Sequence, residues 1–179
     1  MAAKAPVTVT GRATVRAIGE RLILPLPEEL SAKLPSRGQV AVEGTLEECP
    51  LTTVLEPDGR KGHWIDLDTA LIDELDLTEG TSLAVTLTTR AEWPEPEVPE
   101  DLAAALEEAD DLADTWPALT PMARWEWVRW VRATRSGDTR ARRVEVSIDK
   151  LRHGSRRPCC FDLSSCTDPE LARSGKLPE

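Results

Sequence analysis

Long apolar runs are missing from this chain. No stretch of its 179 residues approaches the roughly 20 apolar residues that span a bilayer, which excludes a membrane-crossing helix. The N-terminal Met1-Ala-Ala-Lys-Ala-Pro6 lacks the apolar segment of a secretory leader, so the expected compartment is the cytoplasm. Histidine is scarce, with only His63 and His153, far apart in sequence. No serine sits in a G-x-S-x-G elbow, and neither a P-loop nor a G-x-G-x-x-G turn occurs. Carboxylates are abundant, but abundance without a defining spacing nominates no acid–base pair. No catalytic residue and no cofactor is therefore assigned, and an enzyme is not expected. The four cysteines include no C-x2-C knuckle: Cys159, Cys160 and Cys166 form a C-C-x5-C group near the end, with Cys49 remote from them. Metal binding, thiol redox and plain packed or surface thiols stay open for this group, the last being the ordinary state, and no metal site is assigned.

What the chain does contain is a repeat. Leu24-Pro-Leu-Pro-Glu-Glu-Leu-Ser-Ala-Lys-Leu34 and Ile65-Asp-Leu-Asp-Thr-Ala-Leu-Ile-Asp-Glu-Leu75 each run from an apolar strand into a short amphipathic helix. Each continues to a turn glycine, Gly38 or Gly80, and a further strand, Gln39–Val42 or Thr81–Thr86. A spacing of about 41 or 42 residues between residues 22–44 and 63–86 reads as one supersecondary unit used twice. Two copies predict a pseudo-symmetric β-barrel closed within one chain. A first strand from Val7 to Ala17 is expected to bend at Gly11, with a hairpin turn at Gly19-Glu20. Pro27 is placed as the first helical residue of the first short helix, and Asp68 as the N-cap of the second.

The proline-punctuated Glu92-Trp-Pro-Glu-Pro-Glu-Val-Pro99 reads as a stiff linker. Beyond it the apolar period changes to 3.6: Leu102, Ala105, Leu106, Ala109, Leu112, Ala113 and Trp116 define one face of a long first helix. Thr120-Pro121 opens a second helix to about Arg135, with Trp127 and Trp130 on its core side. Asp138 is read as the cap of a third, which ends at Gly154. The tail from Arg156 is expected to be polar and loosely held. The boundaries that follow are residues 1–91 for the barrel, 92–100 for the linker, 101–157 for the helices and 158–179 for the cysteine-containing tail.

The strand–helix–glycine–strand units resemble the swapped-hairpin barrels of AbrB- and MazE-like proteins. The whole order of motifs resembles the YdeI/OmpD-associated, or bacteriocin-protection, family. The motifs are Val42-Glu-Gly-Thr45, Pro57-Asp-Gly59, Gly62-His63, Gly80-Thr81 and Trp93-Pro-Glu-Pro-Glu-Val-Pro99-Glu-Asp-Leu102, then Trp116, Leu119-Thr-Pro121, Trp127, Trp130, Thr139-Arg-Ala-Arg-Arg143, Leu151 and Gly154. The resemblance implies a mainly β plus α fold, a double-split barrel followed by a small C-terminal helical bundle. It implies no established reaction.

Charge supplies the candidate sites. The net charge of −10 conceals a basic segment, since residues 121–157 hold eleven basic and four acidic side chains. Arg140, Arg142 and Arg143 form its densest cluster, able to hold a phosphate or carboxylate at a helix start or to pair with acidic neighbours. Trp125 shares a helix side with Arg129 and Arg132, an arrangement that suits cation–π contact or base stacking as well as simple packing. The expected function is a non-enzymatic binding or stress-protection protein for a small anion, a peptide or another protein, as a monomer or weak homo-oligomer. The alternative is a nucleic-acid binder that uses the basic helices.

Overall fold

The structure is a computed structural model that describes residues 5–134, 136–158 and 171–179. It divides into two compact units, the first comprising the described residues up to Trp93 together with 171–179, the second residues 94–158.

The first unit is a seven-stranded antiparallel curled sheet. Its strands are β1 (Thr8–Thr14), β2 (Arg16–Ile18), β3 (Arg21–Pro25), β4 (Val40–Leu46), β5 (Cys49–Pro57), β6 (His63–Asp66) and β7 (Ser82–Thr89). The order across the sheet is β1-β7-β4-β5-β6-β3-β2, so consecutive strands β1 and β2 stand at opposite ends. Val15 alone separates them. It is buried, donates its N–H to Thr81 O at 2.8 Å and accepts from Gly80 N at 2.9 Å. One residue cannot bridge the width of a flat seven-stranded sheet, so the sheet must roll until its ends meet. The expected bend at Gly11 is therefore misplaced by four residues. Gly11 has another use, because a Cβ there would lie 3.0 Å from Leu30 Cδ1 of the short helix α1 (Glu28–Ser31).

The core inside the curl follows the period of two. Val9, Ala13 and Val15 point inward, as do Leu24 and Leu26, Val40 and Val42, Ile65 and Leu67, and Leu83, Val85 and Leu87. Leu30 and Leu71 plug it from α1 and from α2 (Thr69–Glu74). Strand, short helix and strand thus succeed one another twice, β3-α1-β4 and β6-α2-β7. The leading strands pair antiparallel at Leu24↔Ile65, and the trailing strands at Gly44↔Leu87. The two connections differ in detail. Asp68 caps α2 as expected, its Oδ1 accepting from Leu71 N at 2.8 Å, whereas Pro27 is itself the N-cap position of α1, one residue earlier than read from sequence. Gly80 adopts φ +88, while Gly38 needs no positive φ and turns through a bond from its N–H to Ser36 Oγ.

The described end of the tail does not match its expectation. Residues 171–179 pack on the outer side of the sheet, where Leu171 and Leu177 bury Ile23 and Trp64. Leu177 donates to Asp58 O and accepts from Arg60 Nε, while Arg16 holds Pro178 O. The apolar pair Leu171 and Leu177, spaced around a turn at Ser174-Gly175, outweighs the polar residues between them. Cys159, Cys160 and Cys166 lie outside the described residues.

The second unit holds α3 (Glu100–Glu107), a 3₁₀ turn (Asp110–Leu112), α4 (Pro121–Arg132) and α5 (Gly137–Arg152). The long first helix expected to reach Trp116 stops at Glu107. Glu107, Glu108, Asp110 and Asp111 crowd carboxylates onto what would be its negative C-terminal end, which the helix dipole disfavours. Broken there, the chain still buries Ala109 and Leu112. Thr120 caps α4 through Ala123 N, with Pro121 in the first turn. The cap of α5 is Ser136, accepting from Thr139 N, and not Asp138, which falls inside the first turn. Gly154 (φ +79) ends α5 in a Schellman motif, with Ser155 N bound to Lys150 O and Gly154 N to Leu151 O. Trp127 is 0% exposed, packed with Leu112, Leu119, Ile148 and Leu151. Trp116 and Trp130 are only half-buried against the same cluster.

Two substitutions test this packing. In Gly44→Ala the new Cβ would lie 1.9 Å from Thr86 O across the β4–β7 pairing, so the strands must separate. The urea midpoint should fall by the equivalent of about 3 kcal/mol or more, in the upper range for point mutants. Trp127→Ala should cost about 3–5 kcal/mol as a buried aromatic. An unchanged midpoint in either variant would contradict the assigned packing.

Candidate binding cleft and the basic helices

The helix periodicities place the basic residues on α4 and α5, and acidic residues earlier in the unit meet most of them. Arg140 forms a two-pronged pair with Asp101 in the first turn of α3, Nε to Oδ2 and Nη2 to Oδ1 at 2.9 Å. That guanidinium holds the Asp101 carboxyl below its usual range, and the carboxylate raises Arg140 in turn. Arg152 grips Asp111 in the same way, at 2.7 and 3.0 Å, and lowers that carboxyl too. Arg124 binds Glu95 and lowers it.

Of the residues singled out from sequence, Arg143 is the one drawn toward the helix partner. It donates to Trp130 O at 2.7 Å and lies 5.5 Å from the centre of that indole, so it locks α5 to the end of α4. Arg140 and Arg143 thus engage different partners. Arg142 is exposed and makes no ion pair among the described residues. Arg132 donates to Glu97 O at 2.9 Å. Trp125 and Arg129 are half-buried on α4.

His63 is a barrel residue, as its position beside Trp64 suggests. It is 1% exposed at the end of the curl; its N–H donates to Ser31 Oγ at 3.1 Å, and its Nε2 lies 3.0 Å from Gly38 O. A carbonyl only accepts, so Nε2 carries the proton and Nδ1 is a lone-pair nitrogen with no partner. Burial lowers the His63 pKa, outweighing the bond to Gly38 and the nearby Asp58, with Arg37 acting in the same direction as burial. The ring is a neutral fastener between β6 and the loop that leads into β4.

A concave site does exist in the helical unit. The segment Asp114, Thr115, Ala118 and Leu119 faces Gly154, Ser155 and Arg156 across a cleft of about 360 Å³. Arg124 fixes one wall, its Nη1 donating to the carbonyls of Trp116, Pro117 and Leu119. The other wall is pinned by the Schellman turn and by Trp127 Nε1 donating to Arg156 O at 3.1 Å. The Arg152–Asp111 pair ties the element that leads into one wall to the helix that leads into the other. Gly154 was legible as a helix stop. The cleft was not, because it arises from the break after α3, which the apolar stripe conceals.

The geometry defines a two-unit α/β protein whose helical half carries a cleft and a largely self-paired basic surface. Residues 95–154 match the family model described as Bacteriocin-protection, YdeI or OmpD-Associated. Residues 11–87 match a domain of unknown function (DUF1905). These matches support the resemblance to the YdeI/OmpD-associated family. No curated protein matches the chain. No helix among the described residues is long and apolar enough to cross a membrane.

The state of His63 sets a pH dependence. Its pKa in the folded chain lies below the unfolded value near 6.5, so as pH falls through about 6.5 the unfolded chain binds a proton that the folded one refuses. Stability should therefore decline from about pH 6.5 downward, and this leg should flatten in His63→Gln. Urea titrations at stepped pH measure it, and an identical pH slope in both proteins would refute the assignment.

Proposed function

We propose that this chain is a bacteriocin-protection-like binding protein that works in the cytoplasm and carries out no reaction of its own. The observation that carries the reading is the family match over residues 95–154, which spans both helices of the basic segment and most of the cleft. The ligand is a small molecule, a peptide or another protein, held by the helical unit. The finer architecture belongs to the same proposal. Residues 22–44 and 63–86 are copies of one unit, forming a double-split barrel of AbrB/MazE type, and the helices form a C-terminal bundle. The matched pairing of β3 with β6 and β4 with β7 supports that symmetry.

The nucleic-acid reading draws on the same basic segment and is the weaker one. Arg124, Arg132, Arg140 and Arg152 pair with Glu95, Glu97, Asp101 and Asp111. Residues 94–158 hold thirteen acidic and eleven basic side chains, so the unit has no cationic excess to release counterions from a phosphate backbone. Two measurements divide the readings. Cells lacking the gene should survive bacteriocin challenge at least tenfold less well than complemented cells, and equal survival would overturn the protective role. On a heparin column the protein should elute at or below about 0.15 M salt. Retention well above that would favour the polyanion reading.

A further inference from the structure

The cleft of the helical unit is lined by residues of both charge signs whose side chains have no partner among the described residues. Arg124, Arg132, Arg140, Arg143, Arg152 and Arg157 all bond to carboxylates or backbone carbonyls. Arg156 differs. Arg156 lines the cleft; its backbone carbonyl accepts from Trp127, and its exposed side chain has no partner among the described residues. Asp114 lines the same cleft, its exposed side chain without a partner among the described residues, while its backbone carbonyl accepts from Ala118 N at 3.3 Å. Thr115 and Ser155 add two hydroxyls, and Leu119 with Ala118 forms an apolar surface.

We propose that this cleft binds a small zwitterion of the α-amino-acid type, its carboxylate on Arg156 and its ammonium on Asp114. The proposal rests on the reading of the chain as a binding protein and names the chemistry of its ligand. A volume of about 360 Å³ is at the small end of ligand sites and suits one small molecule. A guanidinium takes a carboxylate through two parallel N–H bonds, and a lone carboxylate is the natural partner of an ammonium. With one group of each sign the cleft has no net preference for an anion or a cation alone. The two hydroxyls can take the remaining donors and acceptors, and the apolar surface can take a short side chain. The fixed walls mean that little ordering is required when the ligand enters.

The test is an amide NMR titration of the full-length protein with L-alanine, N-acetyl-L-alanine, L-alaninamide and dialanine. L-alanine should shift the amides of Thr115, Leu119, Ser155 and Arg156. The acetylated and amidated analogues, each missing one charge, should bind at least tenfold more weakly. Tighter binding of dialanine than of alanine would assign the ligand as a peptide end, and the reverse order as a free amino acid. Arg156→Gln and Asp114→Asn should each weaken alanine binding at least tenfold with the remaining spectrum unchanged, which also checks that they fold. Arg142→Gln, exposed and absent from the cleft lining, should bind as the native chain does. No shift at the cleft with alanine or dialanine up to about 10 mM, weaker than any useful millimolar affinity, would overturn the proposal. So would binding unaffected by both cleft variants. If the cleft fails while complemented cells remain protected, the ligand assignment falls and the protective reading stands.

Discussion

Everything in the first unit depends on the single residue between β1 and β2. Val15 keeps the two ends of a seven-stranded sheet within one peptide of each other, and Thr81 and Gly80 hold it there through its own amide and carbonyl. Given that constraint, the curl, the inward alternation of Val, Leu and Ile, and the placing of α1 and α2 over the opening are consequences. Gly11 and Gly44 are part of the same construction. The first clears room for Leu30, and the second lets β4 lie against the backbone of β7. A rolled sheet also withdraws its edges from other chains, the usual hazard of a long exposed strand.

The helical unit is organised by charge as much as by its apolar clusters. Most of its acidic residues lie early, from the linker through α3 and the 3₁₀ turn, and most of its arginines lie late, on α4 and α5. The resulting pairs are partly exposed, so each contributes little to stability, typically below about 1 kcal/mol. Their value lies in direction. Asp101 can meet Arg140 and Asp111 can meet Arg152 in only one alignment of α3 and the turn on α5, so the pairs select one packing among several that the apolar residues would tolerate. Arg156 and Asp114, which line the cleft, have no such partner among the described residues.

Much of this was legible in the chain. The period of two around Val9, Val42 and Val85, the Asp68 and Thr120 caps and the Gly154 stop are local signals, and local chemistry decided them. The misreadings have a common cause in tertiary or electrostatic context. The bend belongs to Val15 because of where β7 lies, which no property of valine announces. The first helix breaks because of accumulated carboxylates, against an apolar stripe that runs straight through the break. Ser136 displaced Asp138 as a cap by two residues, within the ordinary uncertainty of helix ends. Of the candidate site, the arginines were found, but their partners were not. The cleft residues Asp114 and Arg156 carried no signal at all, since neither spacing nor composition brings them together.

The packing of residues 171–179 also has a consequence in time. Trp64 emerges from the ribosome roughly 110 residues, and Ile23 roughly 150 residues, before Leu171 and Leu177 do. At roughly 5–20 residues per second their face of the sheet stays bare for several seconds while the helical unit is being made. The sheet is then a nascent domain with an apolar outer side, and the interval is long enough for a chaperone to visit it. Rapid translation of the intervening residues would shorten that exposure without altering a single contact in the finished protein.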